Sequence, residues 1–105
     1  MRKKSSSANI TLDGVRSTLK SVLPDLKRNY RVESLGVFGS YARGESTRKS
    51  DLDLLVEFRE APTMFEFVRL ERHLVTILGV KVDLVMKTAL KPEIGERILA
   101  EVVKV

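Results

Sequence analysis

Between Gly36 and Phe58 the chain reads GVFGSYARGESTRKSDLDLLVEF. Two short apolar runs flank a polar, charged link that contains glycine. The first run ends at Gly39-Ser40, the second carries Asp51-Leu52-Asp53, and ten residues separate Ser40 from Asp51. Runs this short and this apolar read as strands. Ser34 to Phe38 forms the first, and Gly39-Ser40 marks its turn into a short helix. The second strand, through Leu52, Leu54, Leu55 and Val56, is expected to return antiparallel, although the link is long enough for either direction.

Side chains alternate across a strand, so Asp51 and Asp53 point to one face and Leu52 and Leu54 to the other. Two residues along a strand span about 6.6 Å. Carboxylates at that spacing converge on hard cations, and Mg²⁺ takes a few carboxylates together with phosphate oxygens and water. A paired-ion site of this kind clamps the attacking and leaving oxygens of an in-line phosphoryl or nucleotidyl displacement. The plainer alternative makes Asp51 a turn residue after Ser50 and Asp53 an exposed strand position. Gly39-Ser40 counts against it. Glycine lets a backbone approach a ligand closely, and N–H groups at a helix start, with the Ser40 hydroxyl beside them, suit phosphate oxygens. Lys81 to Met86, KVDLVM, reads as a further short strand with one acid, Asp83. If it lies beside the Asp51–Asp53 strand, all three acids share a face. By itself Asp83 reads as a strand-end residue facing water.

Gly39-Ser40, the ten-residue gap, Asp51-x-Asp53 and the later strand acid Asp83 resemble the nucleotidyltransferase superfamily of DNA polymerase beta. The stretch GSYARGESTRKSDLDLLVEF and the small size are similar to the minimal nucleotidyltransferase (MNT) subfamily of prokaryotes, over most of the chain from about Leu12 onward. Many MNT proteins are antitoxins paired with a HEPN-domain ribonuclease toxin. The resemblance implies that Gly39 and Ser40 bind the triphosphate of ATP or another NTP. It implies that Asp51 and Asp53 hold a two-ion Mg²⁺ site, and that Asp83 completes it and helps activate the incoming hydroxyl. All five positions match. Larger relatives carry an added domain that binds the acceptor, for which this chain has no room.

Composition is compatible with that reading. The chain has 105 residues, 43% hydrophobic and 31% charged, as in an ordinary α/β globule with one core. Residues 11–105 read as one minimal nucleotidyltransferase domain, preceded by a flexible basic tail over residues 1–10. There is no cysteine, which excludes a disulfide framework, a zinc–thiolate site and a thiol nucleophile. The apolar runs fall short of the ~20 residues of a membrane span. MRKKSSSANI lacks the apolar segment of a signal peptide, so the expected compartment is the cytoplasm. Net charge is +5, and removing Arg2, Lys3 and Lys4 leaves +2, a weak case for direct nucleic-acid binding. Arg43 directly follows the Gly-Ser turn. It either reaches triphosphate oxygens or fixes the loop through a carboxylate. Arg48 and Lys49 are as readily explained as a solvated loop.

The remainder reads as scaffold. Leu12, Val15, Leu19, Val22, Leu23 and Leu26 recur at helical spacing after Thr11, a candidate N-cap, and Pro24 is expected to kink or split that helix. A second amphipathic helix spans Met64 to Leu78, with Phe67, Leu70, Leu74, Ile77 and Leu78 inward and Gly79 ending it. Met64, Phe65 and Phe67 are expected in the core, and His73 on the surface. Pro92 opens a last helix over about Glu93 to Val102, unless VVKV forms a strand. The expected architecture is a small mixed sheet with helices on one face and the acids at an exposed sheet edge or end. The leading expectation is a metal-dependent nucleotidyltransferase acting as an antitoxin, which transfers a nucleotide monophosphate to a tyrosine hydroxyl of a partner HEPN toxin. The alternative is a non-catalytic binding module that neutralises its partner by complex formation. A third, weaker reading is a transferase for a small molecule or an RNA end.

Overall fold

The computed structural model describes residues 11–105. The basic segment 1–10, expected to be a tail, lies outside the described residues. Helix α1 (Leu12–Tyr30) leads into β1 (Val32–Phe38), a single-turn α2 (Gly39–Ala42) and β2 (Leu52–Phe58). Helix α3 (Met64–Leu78), β3 (Val82–Met86), a 3-10 turn (Lys87–Ala89), α4 (Pro92–Glu101) and β4 (Val103–Lys104) complete the chain. One four-stranded mixed sheet has the order β3-β2-β1-β4. β1 runs antiparallel to β2 and β4, whereas β2 and β3 are parallel.

Strand periodicity divides the sheet into two faces. Leu52, Leu54 and Val56 of β2 join Val82 and Leu84 of β3 and Leu35 and Val37 of β1 in one core cluster. Val15, Leu19 and Leu26 of α1 and Leu70, Leu74 and Leu78 of α3 close that cluster from the same side. Asp53, Leu55 and Glu57 alternate onto the opposite face, as do Asp83 and Val85. The leucines between the acids therefore fix which way the acids look.

Both long helices carry their own end signals. The Thr11 hydroxyl accepts the Gly14 N–H at 3.2 Å. At α3, the Thr63 hydroxyl accepts from Glu66 N and the Glu66 carboxylate accepts from Thr63 N, a reciprocal capping box. Gly79 ends α3 in the left-handed conformation at φ 72°. Pro24, expected to kink or split α1, does not split it and sits inside one continuous helix. It removes the N–H that would bond the Lys20 carbonyl. Lys20 and Pro24 are both exposed, so water can take that carbonyl. The last segment holds both alternatives at once, a helix to Glu101 and then a two-residue strand on β1.

One core expectation is corrected. Met64 and Phe65 are 77% and 71% exposed. They occupy the first turn of α3 on its outward side, where Arg69 lies 6.0 Å from the Phe65 ring centre. Only Phe67 of that trio turns inward, against Phe58. His73 is half-buried rather than fully on the surface, its ring stacked on Tyr30 with centres 5.5 Å apart.

These burial differences predict unequal losses. Leu54→Ala removes a fully buried side chain and should cost about 2–5 kcal/mol in urea unfolding. Phe65→Ala should change stability by no more than about 0.5 kcal/mol. Similar losses for the two would contradict the exposed placement of Phe65.

Candidate active site

The site lies where β1 ends and β2 and β3 begin. Asp53 pairs in register with Phe38 on one side and Asp83 on the other. Registered neighbours on adjacent strands are about 4.8 Å apart and share a face, so the sheet itself sets Asp53 beside Asp83. Asp51 falls one residue before β2 and is exposed, as is Asp83; Asp53 is half-buried.

Gly39 follows β1 directly with φ 73°, a conformation that strains any side chain with a Cβ. There is also no room for one, because a Cβ at Gly39 would overlap the Asp53 carboxylate. The absent side chain at Gly39 thus makes the space that Asp53 fills. Tyr41 seats the turn: it is 3% exposed and belongs to the core cluster. Burial pushes its hydroxyl pKa upward. Ser40, next to this anchor, is half-buried at the rim of the site.

Arg43 fixes the loop through carboxylates. Its Nε donates to Glu45 at 3.0 Å, and its Nη1 to Glu101 at 3.0 and 3.3 Å. Glu101 also accepts the Gly39 N–H at 2.7 Å. That N–H bond, followed by Arg43, holds the Glu101 carboxyl below its ordinary pKa. Glu101 escaped the sequence reading because it lies 62 residues from Gly39. No local motif marks it; the only available signal was an acid at the junction of the last helix with VVKV. Arg48 and Lys49 are exposed in the link, the solvated alternative. An open groove of about 330 Å³ runs beside the turn, lined by Phe38, Gly39, Arg43, Arg97, Ile98 and Glu101.

The acids repel one another. Burial first, then the charges of Asp83 and Asp51, raise the Asp53 pKa; Arg43 partly offsets them and Glu101 adds to them. Among the described residues, no three His, Cys, Asp or Glu side chains close into a metal-holding group. Asp53 and Asp83 form an aligned pair with Asp51 at the margin. Their hard oxygens are the donor type that Mg²⁺ takes, and a cation is what this unbalanced charge would favour.

Comparison with known proteins decides the family. The nucleotidyltransferase domain model matches residues 19–105. The chain belongs to the nucleotidyltransferase domain family. The protein adenylyltransferase MntA of Thermococcus cleftensis is 45% identical over 98 residues, covering 93% of this chain and 99% of the relative. A solved structure assigned as a minimal nucleotidyltransferase is 38% identical with a TM-score of 0.81, covering 93% of this chain and 99% of that one. The fold also recurs in a Shewanella oneidensis complex of a tri-AMPylated HEPN toxin with an MNT antitoxin. That likeness is 17% identical with a TM-score of 0.63, over 86% of this chain and 70% of the other. Among the described residues of this nucleotidyltransferase, no helix is long and apolar enough to cross a membrane.

The raised Asp53 pKa carries a sign. A carboxyl whose folded-state pKa exceeds its unfolded value binds its proton more tightly when folded. Stability therefore falls as pH rises from the ordinary carboxylate range through the raised value. At neutral pH, ionised Asp53 costs the metal-free chain stability. Asp53→Asn should melt at the same or a higher temperature than wild type at pH 7 without metal. The gap should narrow toward pH ~4, where the unfolded-state carboxyl also takes up its proton. A lower melting temperature for the variant at pH 7 would contradict this account.

Proposed function

We propose that this chain is a metal-dependent protein adenylyltransferase and an antitoxin, acting on a tyrosine hydroxyl of a partner HEPN-type toxin. The observation that carries the reading is the in-register Asp53–Asp83 pair packed against the Gly39–Ser40 turn. Related proteins support the acceptor class. The Thermococcus relative is a protein adenylyltransferase, and the Shewanella complex pairs an MNT antitoxin with an AMPylated toxin. Another toxin–antitoxin structure of this fold was solved with AMP-PNP, which supports ATP as the donor.

In this reading Gly39 gives the backbone turn its close approach, and Ser40 and Arg43 donate to triphosphate oxygens. Asp51, Asp53 and Asp83 would hold Mg²⁺, as two ions, which neutralises phosphate charge when bound. The tyrosine oxygen forms a bond to the α-phosphorus as the bond from that phosphorus to the β-phosphate oxygen breaks. Pyrophosphate leaves, Asp83 takes the hydroxyl proton, and AMP stays on the toxin. Residues 11–105 act as one domain, with the acceptor docking in trans and the cytoplasm as the compartment.

Two experiments test this. Asp51→Asn/Asp53→Asn should lose transfer by roughly 10²-fold or more while staying folded, the scale of removing a preorganised electrostatic group. Near wild-type, Mg²⁺-dependent transfer by that double variant would sink the enzyme assignment. The second separates catalysis from neutralisation by binding alone. Asp83→Asn should keep much of the ATP affinity, lose most of the transfer rate and fail to protect cells that express the toxin. Full protection with a toxin of unmodified intact mass would favour a purely steric antitoxin.

A further inference from the structure

Glu101 is an acid with no place in the transfer chemistry, yet it is among the most heavily bonded side chains near the site. Its carboxylate accepts from the Gly39 peptide and from Arg43 Nη1. Its backbone is held as firmly. Glu101 ends α4, and the residues just after it pair with β1, Val103 against Val37 and Lys104 against Gly36. Val105 N then donates to Leu35 O at 3.0 Å. The strand that carries the site's glycine at its end thus also carries, through β4, the acid that bonds that glycine.

The guanidinium of Arg43 is a planar fork of five donors. Glu45 takes its Nε edge and Glu101 its Nη1. Two carboxylates on one rigid plane fix its orientation. The Nη2 edge makes no hydrogen bond among the described residues, and Arg43 lines the groove beside Gly39.

We propose that Glu101 is a positioning residue, which holds the Arg43 guanidinium and the Gly39 peptide in the geometry that receives the triphosphate of ATP. The proposal rests on the nucleotide reading above and adds to it a residue that acts through Arg43. The opposite role for the same contacts is a carboxylate that occupies an anion site and must leave before phosphate binds. The two roles differ in sign. Removing a positioning acid weakens nucleotide binding; removing a competing anion strengthens it.

The test is calorimetric titration of the full chain with Mg²⁺ and an ATP analogue that carries a methylene bridge between the α- and β-phosphorus, so that binding is read without transfer. The variants are Glu101→Gln, Glu101→Ala, Arg43→Ala and Arg43→Ala with Glu101→Ala. Glu101→Ala should weaken binding about ten-fold, the range expected for losing a charge-assisted contact. Glu101→Gln keeps an acceptor oxygen and should recover part of that loss. In the Arg43→Ala background only the Gly39 contact is left for Glu101 to hold, so Glu101→Ala should cost clearly less there than in the wild-type chain, because residues that act as one unit are non-additive. A residue that matters only for the fold would add its loss in full, and that result overturns the proposal. Tighter or unchanged binding in both Glu101 variants also overturns it. If Glu101→Ala does not fold, Glu101→Gln in the wild-type and Arg43→Ala backgrounds gives the same comparison. Failure of the wild-type chain to bind the analogue overturns the nucleotide reading itself, a result distinct from a failure of positioning alone.

Discussion

Parallel pairing of β2 with β3 places Asp53 and Asp83 side by side, and much of the local structure can be understood as holding those like charges together. Left to themselves the two carboxylates would separate. They stay because the opposite face of the same strands is committed to the core. Leu52, Leu54, Val82 and Leu84 are all buried under α1 and α3. A slip of one residue in either strand would expose those apolar groups and bury acids. Each buried leucine or valine is worth about 1.5–3 kcal/mol, enough collectively to hold the register against repulsion between partly solvated charges.

Around this pair the turn after β1 is shaped by the acids. Gly39 has no side chain because Asp53 stands where it would be, and it adopts a left-handed φ that only glycine takes freely. Tyr41 sinks into the core and holds the turn down. Arg43 and Glu101 close it from the far side. The strand-end glycine is thus a packing requirement of the resting chain as well as a proposed approach for phosphate.

Much of this was legible because the deciding signals are local. Alternation of leucine with aspartate gave the faces of β2. Thr11, Gly79 and Pro92 marked helix ends by backbone chemistry that operates within a turn. Pro24 did not split α1, because the cost of a proline depends on whether the lost bond is buried, and here it faces water. Met64 and Phe65 misled because hydrophobicity alone does not say where a helix's first turn points. The Thr63–Glu66 capping box was readable too, but it marks where the helix starts, already placed at Met64, and not which way that turn faces. Glu101 could not be read locally, since its role depends on β4 closing onto β1.

The arrangement also separates the acids by access, and this bears on how an acceptor could arrive. β3 is an edge strand of the sheet, and Asp83 is exposed, whereas Asp53 lies between Asp83 and the turn and is half-buried. In the proposed reading the nucleotide lies toward the turn, on the Ser40 and Arg43 side. The only one of the in-register acids left facing open solvent is then Asp83. A hydroxyl on a small molecule could enter from almost any direction. A hydroxyl on a folded protein must approach with its own surface around it, and an acid on an open sheet edge meets that requirement without a lid or a second domain. In that proposed reading, an acceptor delivered in trans would meet Asp83 at the sheet edge, and the proposed nucleotide-holding and proton-accepting roles would be divided between a recessed strand and an edge strand.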